Sequence, residues 1–233
     1  MIEFEYYQKI LPTEFLGQCW SKPETQQLAP NLLSMIARST SLSLWISNLI
    51  VDPARVKTRA QRFTKLIKIA EYLRKLNNFS TLMAFLGAFN NASVSRLKFT
   101  KALIPKKQQD TLTELETVMS VEASSKNYRQ ALRSSNPPCI PYIGTYLSDL
   151  TFIDDGNKNN LTEHNLINFG KRMLTHRVIS EIQRYQQVGY SFQSVAQIVS
   201  HIKDLGTGDE KTFSAQLYDK SLAREPRGAE KVV

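Results

Sequence analysis

Between Val56 and Leu76 the apolar residues Phe63, Leu66, Ile67, Ala70, Leu73 and Leu76 follow i, i+3, i+4, i+7 spacing, which stacks them on one face of a helix for about five turns. The opposite face is basic, with Arg59, Arg62, Lys65, Lys68 and Lys75. Glu71 interrupts that row and no aromatic residue is read as interleaving it, so a solvated helix face is expected there and not a nucleic-acid stripe. Nine Gly and nine Pro in 233 residues leave few places for tight turns, which favours long helices on short loops and excludes a many-stranded β architecture. The fold class is therefore all-α.

The same period recurs along the chain. Leu28-Ala29-Pro30-Asn31 precedes Leu32, Leu33 and Ile36, then Leu42, Leu44, Trp45 and Leu49, which predicts a helix, a polar interruption and a second helix. Leu82, Phe85, Leu86 and Phe89 follow Asn77-Asn78, and Leu112, Leu115, Val118 and Met119 mark another helix. In Ser134 to Pro141 three prolines fix φ and remove donors, so that stretch is a rigid connector. After it, Tyr142 to Ile153 reads as a short helix closed by Asp154-Asp155-Gly156-Asn157, with Gly156 suited to the position just past a helix end. A long helix is predicted from Leu161, with Asn160 and Glu163 in capping-box spacing and Leu166, Phe169, Met173, Val178, Ile182 and Tyr185 on its apolar side. If Phe169 is buried, its truncation to Ala costs roughly 3–5 kcal/mol. The two helices would form a hairpin. A last helical piece is expected around Phe213 to Leu222, and one domain spanning residues 1–233 is the economical organisation.

Hydrophobic residues at 42% and charged residues at 22% exclude wholesale disorder, collagen-like repetition and a coiled-coil rod. The net charge of +9 admits nucleic acid, an anionic membrane surface or a basic solvated face as its meaning. The most apolar stretch, Leu42 to Val51, is broken by Ser43, Ser47 and Asn48, so no membrane span is expected. The acidic start Met1-Ile2-Glu3-Phe4-Glu5 lacks the features of a secretory signal, and Cys19 and Cys139 lie outside any metal spacing. A cytoplasmic chain with two buried, reduced thiols and no cofactor follows as the expectation.

Bond-making motifs fail one by one. There is no Gly-Lys-Ser or Gly-Lys-Thr, and Gly206-Thr207-Gly208 has Lys211 where a dinucleotide fingerprint needs its third glycine. A calcium loop centred on Gly156 would put Thr151, Ile153 and Thr162 at ligand positions. His164, His176 and His201 form no H-E-x-x-H, and no G-x-S-x-G exists. No catalytic role is assigned to the histidines and no metal is expected.

Ordered words along the chain carry more information. They are Asn31-Leu32-Leu33-x-Met35-Ile36 with Leu44-Trp45, Leu76-Asn77-Asn78-Phe79, Pro137-Pro138-Cys139-x-Pro141, Gly144-x-Tyr146-Leu147-x-Asp149-Leu150 with Phe152-Ile153 and Gly156-Asn157, Asn165-Leu166-Ile167-Asn168-Phe169, and Lys220-Ser221-Leu222-x-x-Glu225-Pro226-Arg227. This succession resembles the catalytic domain of Ras-family guanine-nucleotide exchange factors, the family of Son of sevenless, over almost the whole chain.

The resemblance implies a helical domain with a protruding hairpin that binds a Ras-family small GTPase, of the Ras or Rap subfamily, and opens its nucleotide site so that GDP leaves and GTP loads. Such a protein makes no covalent bond. By the resemblance, Thr151 points at the magnesium site and Asp155 at the phosphate-binding loop, while Ile36, Met83, Gly87, Asn90, Tyr142, Ser148, Asn157 and Arg227 belong to the GTPase-binding surface. Asn77-Asn78-Phe79 and Pro137-Pro138-Cys139 are expected to be scaffold. Asp155 stands where glutamate is commoner in the family, Thr151 where some members carry a bulky apolar residue, and Ser125 where some Ras-specific members carry tyrosine. The chain is expected to be a piece of a larger signalling protein recruited to the inner face of membranes, with membrane contact only indirect. A GTPase-binding scaffold without exchange activity is the alternative, and a basic nucleic-acid-binding domain is a third, weaker one.

Overall fold

In the computed structural model, which describes residues 2–161 and 165–230, the fold is all-α. In chain order the helices are α1 (Ile2–Gln8), α2 (Pro30–Val51), α3 (Val56–Lys75), α4 (Phe79–Asn90), α5 (Ala92–Ser95), α6 (Lys98–Ala102), α7 (Lys106–Met119) and α8 (Glu122–Arg133). After the proline connector come α9 (Ile143–Gly156), α10 (Phe169–Tyr185), α11 (Ala196–Lys203) and α12 (Glu210–Arg224). The strands among the described residues are β1 (Asn160–Leu161) and β2 (Leu166–Ile167), paired antiparallel. Backbone packing divides the chain into two compact units, one holding the residues up to Ala37 together with Ser135–Phe192, the other Arg38–Ser134 and the residues from Gln193 onward.

In the first unit the start of α2 is held by a buried carboxylate. Oε2 of Glu14 accepts the Asn31 and Leu32 backbone N–H groups at 2.8 and 2.9 Å, and Oε1 accepts Asn31 Nδ2 at 2.8 Å and Leu11 N at 3.0 Å. A negative group on the unsatisfied donors of a helix N-terminus is favoured by hydrogen bonding and by the helix dipole together, which offsets the cost of burying it. The root of the hairpin is tied down nearby. Tyr7 OH donates to the Ile182 carbonyl at 2.6 Å, and Gln186 Nε2 donates to the Tyr7 and Ile10 carbonyls at 2.9 and 3.0 Å. Cys19 and Cys139 are both buried thiols outside any disulfide, and burial pushes the Cys19 thiol pKa up.

In the second unit the apolar face of α3 packs as the periodicity requires, with Phe63 against Phe89 of α4 at a ring separation of 5.0 Å. Asn78 caps α4 by accepting the Thr81 N–H, and Phe79 lies edge-on to Tyr128 with Arg74 over its ring, so these residues do scaffold work at the α3–α4 junction.

Three expectations need correction here. The polar run from Arg38 to Ser41 does not break α2, because its side chains find partners without leaving helical geometry: the Arg38 guanidinium donates to the Ile202 and Lys203 carbonyls. Further along the same helix Ser47 Oγ donates back to the Ser43 carbonyl at 2.9 Å. The last helix begins at Glu210, earlier than Phe213, because the Asp209 side chain accepts the Thr212 N–H and caps it. Arg59 is not on the solvated face of α3 at all but is fully buried.

Arg59 meets the word at Lys220 to Arg227 through Glu225. Its Nη2 pairs with Glu225 at 3.3 Å, Nε donates to Thr100 Oγ1 at 3.0 Å, and Nη1 donates to the Pro53 and Ala54 carbonyls at 3.1 and 2.6 Å. Glu225 in turn accepts the Phe99 and Thr100 N–H groups and the Thr100 hydroxyl. Arg96 bonds the carbonyls of Ser221 and Glu225, and Ser221 Oγ donates to the Ser93 carbonyl. The end of α12 is thereby fastened to α3, α5 and α6 by hydrogen bonds, most of them charge-assisted, with the Arg59–Glu225–Thr100 set out of reach of solvent. Glu225→Ala leaves Arg59 buried without its carboxylate and is expected to lower unfolding free energy by roughly 3–5 kcal/mol, read as a fall in the urea midpoint at unchanged slope.

Candidate functional site

Helices α9 and α10 are antiparallel neighbours in the first unit, joined through the β1–β2 ribbon. At the root Tyr146 OH donates to Glu181 at 3.1 Å, and Tyr146, Leu150, Ile179, Ile182 and Tyr185 are buried. Toward the turn the environment inverts. Phe152 is 75% exposed and Phe169 is 70% exposed, with Leu161, Leu166, Ile167 and Met173 also open to solvent. The expected apolar side of α10 thus holds for Ile182 and Tyr185, is half-buried at Val178, and fails for Leu166, Phe169 and Met173. The buried side shared by Ile182 and Tyr185 also holds Lys171 and Ile179, at 3.6 residues per turn Phe169 and Met173 fall on the other side, and Leu166 belongs to β2.

The second helix starts later than its sequence suggests. Leu161 and Leu166 face each other across the ribbon, Asn160 faces Ile167, and Asn168 caps α10 by accepting the Lys171 N–H. The Asn168 side-chain amide also donates to the Lys158 carbonyl at 3.0 Å. Glu163, the second half of the anticipated capping box, lies outside the described residues, as do Thr162 and His164. Gly156 is the last residue of α9 and not the residue past it; Asn157 takes the cap position in extended geometry.

The two adjacent carboxylates at the end of α9 have different fates. Asp154 pairs with Lys171 Nζ at 2.9 Å, and the same ammonium donates to the Asp154 carbonyl at 3.1 Å and the Asn157 carbonyl at 3.0 Å. Lys171 is only 4% exposed. A cation on the last carbonyls of a helix is the favourable partner of the dipole's negative end, so Lys171 offsets the unfavourable placement of an acid there. Asp155 takes no share of that cation. Its carboxylate is exposed and accepts Gln18 Nε2 at 2.9 Å.

Ser148, Thr151, Phe152 and Asp155 are spaced by three and four residues and form one open stripe along α9. The hydroxyls on that stripe bond back to their own helix, Ser148 Oγ to the Gly144 carbonyl and Thr151 Oγ1 to the Leu147 carbonyl, leaving the carboxylate as its charged group. Asn157 is half-buried and donates to the Ile153 carbonyl. Tyr142 precedes α9, and its ring covers Gly144 so closely that a β-carbon there would collide with it. Ile36, although part of the apolar period of α2, is exposed.

The remaining candidates lie in the second unit. Met83, Gly87 and Asn90 stand at i, i+4, i+7 and form the accessible stripe of α4, a helix otherwise almost wholly buried. Asn90 Nδ2 donates to Glu116 at 3.3 Å, and Arg227 is exposed and donates to Tyr218 OH at 3.3 Å. Ser125 lies in a left-handed turn formed with Ala123 and Ser124. Sequence reasoning missed Gln18 and Lys171. Neither has a local signal, since Gln18 reaches Asp155 across 137 residues and Lys171 stands beside Arg172 with nothing in the sequence to tell the two bases apart.

Comparison with known proteins adds an independent line. The RasGEF domain family matches residues 1–173. Ras guanine nucleotide exchange factor K of Dictyostelium discoideum is 47% identical over 230 residues, covering 98% of this chain and 14% of its own length. Factors I and A of the same organism are 42% and 41% identical, covering 99% of this chain and 27% and 40% of their own lengths. The chain therefore spans less than half of each of these relatives.

Two substitutions test how the hairpin is held. Phe169→Ala is expected to change unfolding free energy by less than about 0.5 kcal/mol, because the ring is already in water. Lys171→Met leaves Asp154 and two helix-end carbonyls without their donor and is expected to cost roughly 1–3 kcal/mol. It should also speed amide hydrogen exchange in the β1–β2 ribbon, as read by mass spectrometry.

Proposed function

The chain belongs to the RasGEF domain family, and from that premise we propose that it is a guanine-nucleotide exchange module that binds a Ras-family small GTPase and promotes GDP release and GTP loading. The GTPase is of the Ras or Rap subfamily in this reading. The observation that supports it most is the contrast between the two acids of α9. Asp154 is spent on Lys171, whereas Asp155 remains on an open stripe near a solvent-exposed apolar turn.

The chemistry needs no bond to a protein atom. Phosphate is held in such nucleotide sites by backbone N–H groups and by the bound cation. A carboxylate brought to the same donors competes for them and repels the leaving phosphate, so Asp155 weakens nucleotide binding in two ways. Thr151 is one turn away on the same stripe and occupies space beside the metal position. A picomolar Kd is worth about 16 kcal/mol, far beyond one carboxylate, so the apolar residues at the turn and the α4 stripe at Met83, Gly87 and Asn90 would contribute the rest through protein–protein contact. Tyr142, Ser148, Asn157, Ile36 and Arg227 join that surface in the same reading.

Linkage sets the thermodynamics. Whatever factor the exchange module imposes on nucleotide affinity, nucleotide imposes on the protein–protein complex. The nucleotide-free complex is then the tight one, either GDP or GTP with magnesium dissociates it, and the direction of exchange follows the surrounding nucleotide ratio.

Release of fluorescent GDP from a panel of Ras, Rap and Ral proteins tests the proposal. Acceleration by orders of magnitude is expected for at least one member, and tight binding without acceleration would make the chain a docking scaffold instead. Asp155→Ala is expected to slow release on the order of tenfold, about 1.4 kcal/mol of barrier, at an unchanged melting temperature. Exchange at the normal rate by that variant would remove the carboxylate from the mechanism.

A further inference from the structure

The positive balance of the chain is confined to one part of it. The second unit has 23 Lys and Arg against 12 Asp and Glu, while the first has 7 against 9. Within the second unit α3 concentrates charge on a single line. Lys57, Lys65, Lys68 and Lys75 fall within an arc of about 80° over about 27 Å of helix. That arc is opposite the buried residues Phe63, Leu66 and Ala70, and all four lysines are exposed.

Charge neutralisation along the line is slight. Lys75 pairs with Glu71 at 2.7 Å, whereas among the described residues Lys57, Lys65 and Lys68 have no carboxylate partner. Apolar surface is interleaved with the lysines, contrary to the sequence reading. Tyr72 lies on the same line and is 63% exposed, and Ile69 and Leu76 flank it, both also open to solvent.

We propose that this face of α3 is a docking surface for an anionic lipid bilayer, a direct contact where the sequence reading allowed only an indirect one. Compact ammonium groups on flexible stems suit diffuse headgroup charge, and a ring with a polar tip suits the boundary between headgroups and acyl chains. Nucleic acid is the poorer fit, since it is met by forked guanidinium groups and several stacking rings, and this line has four lysines and one tyrosine. The helix stays part of its own core and rests on the surface through electrostatics, so the contact is reversible and weakens as salt rises. The inference does not depend on the exchange reading.

Flotation of the 233-residue chain with vesicles tests it. Binding is expected with vesicles of phosphatidylcholine and phosphatidylserine, and not with phosphatidylcholine alone. Each lysine near such a surface contributes about fivefold, so the combined variant Lys57→Gln, Lys65→Gln, Lys68→Gln should bind about 100-fold more weakly at unchanged helicity. A control that removes the same charge from α7 and α8, Lys107→Gln, Lys126→Gln, Arg133→Gln, should lose far less. Equal losses in both variants, no preference for phosphatidylserine, or tighter binding to a duplex oligonucleotide at the same salt would each overturn the proposal.

Discussion

One buried ammonium group decides the character of the hairpin. Lys171 closes the C-terminal end of α9 by bonding two of its carbonyls and one of its carboxylates, and it does so from the first turn of α10. A helix end with unsatisfied carbonyls and two consecutive acids would otherwise be an electrostatic liability. With Lys171 in place, Asp154 becomes structural and Asp155 is left over. The separation of roles between neighbouring, chemically identical side chains follows from which one the ammonium can reach.

The same device recurs elsewhere in the chain. Glu14 starts α2, and the Arg59–Glu225 pair fixes the end of α12, each with nearly every donor or acceptor used. Buried charges of this kind add little net stability compared with apolar residues of similar size, but losing one partner is costly. They act as register marks: each joins two segments at one defined place, 17 residues apart for Glu14 with Asn31 and Lys171 with Asp154, and 166 apart for Arg59 with Glu225. Two of them, Glu14 and Lys171, lie in the unit that contains the hairpin, where the proposed function needs a stable base beneath an exposed turn.

The exposed turn has a physical cost that bears on its use. Phe152, Leu166, Ile167 and Phe169 remain in water, which a chain with a single structural purpose has no reason to tolerate on one short segment. In the proposed function that surface would meet the GTPase. The lysine line of α3 is a second surface of different chemistry, charged where the turn is apolar, and the two have separate tests.

Helix content, the α9–α10 hairpin and the apolar face of α3 were legible in the residue pattern, because a period near 3.6 and the scarcity of Gly and Pro are local properties. The family words single out Thr151, Asp155 and the α4 residues as candidates, because they are read in order along one dimension. What the sequence could not determine was which polar residues go inside. Arg59 has the spacing of the apolar face, four residues before Phe63, but its charge argued against burial; Lys171 carried no mark; and Phe169, 13 residues before Ile182, stands in water on the other side of α10. Burial of a charge depends on partners such as Glu225 or the carbonyls of α9, which are brought close only when the chain is packed, and the side of α10 that meets α9 is set by the same packing. Those are distances in space, and only the tertiary structure supplies them.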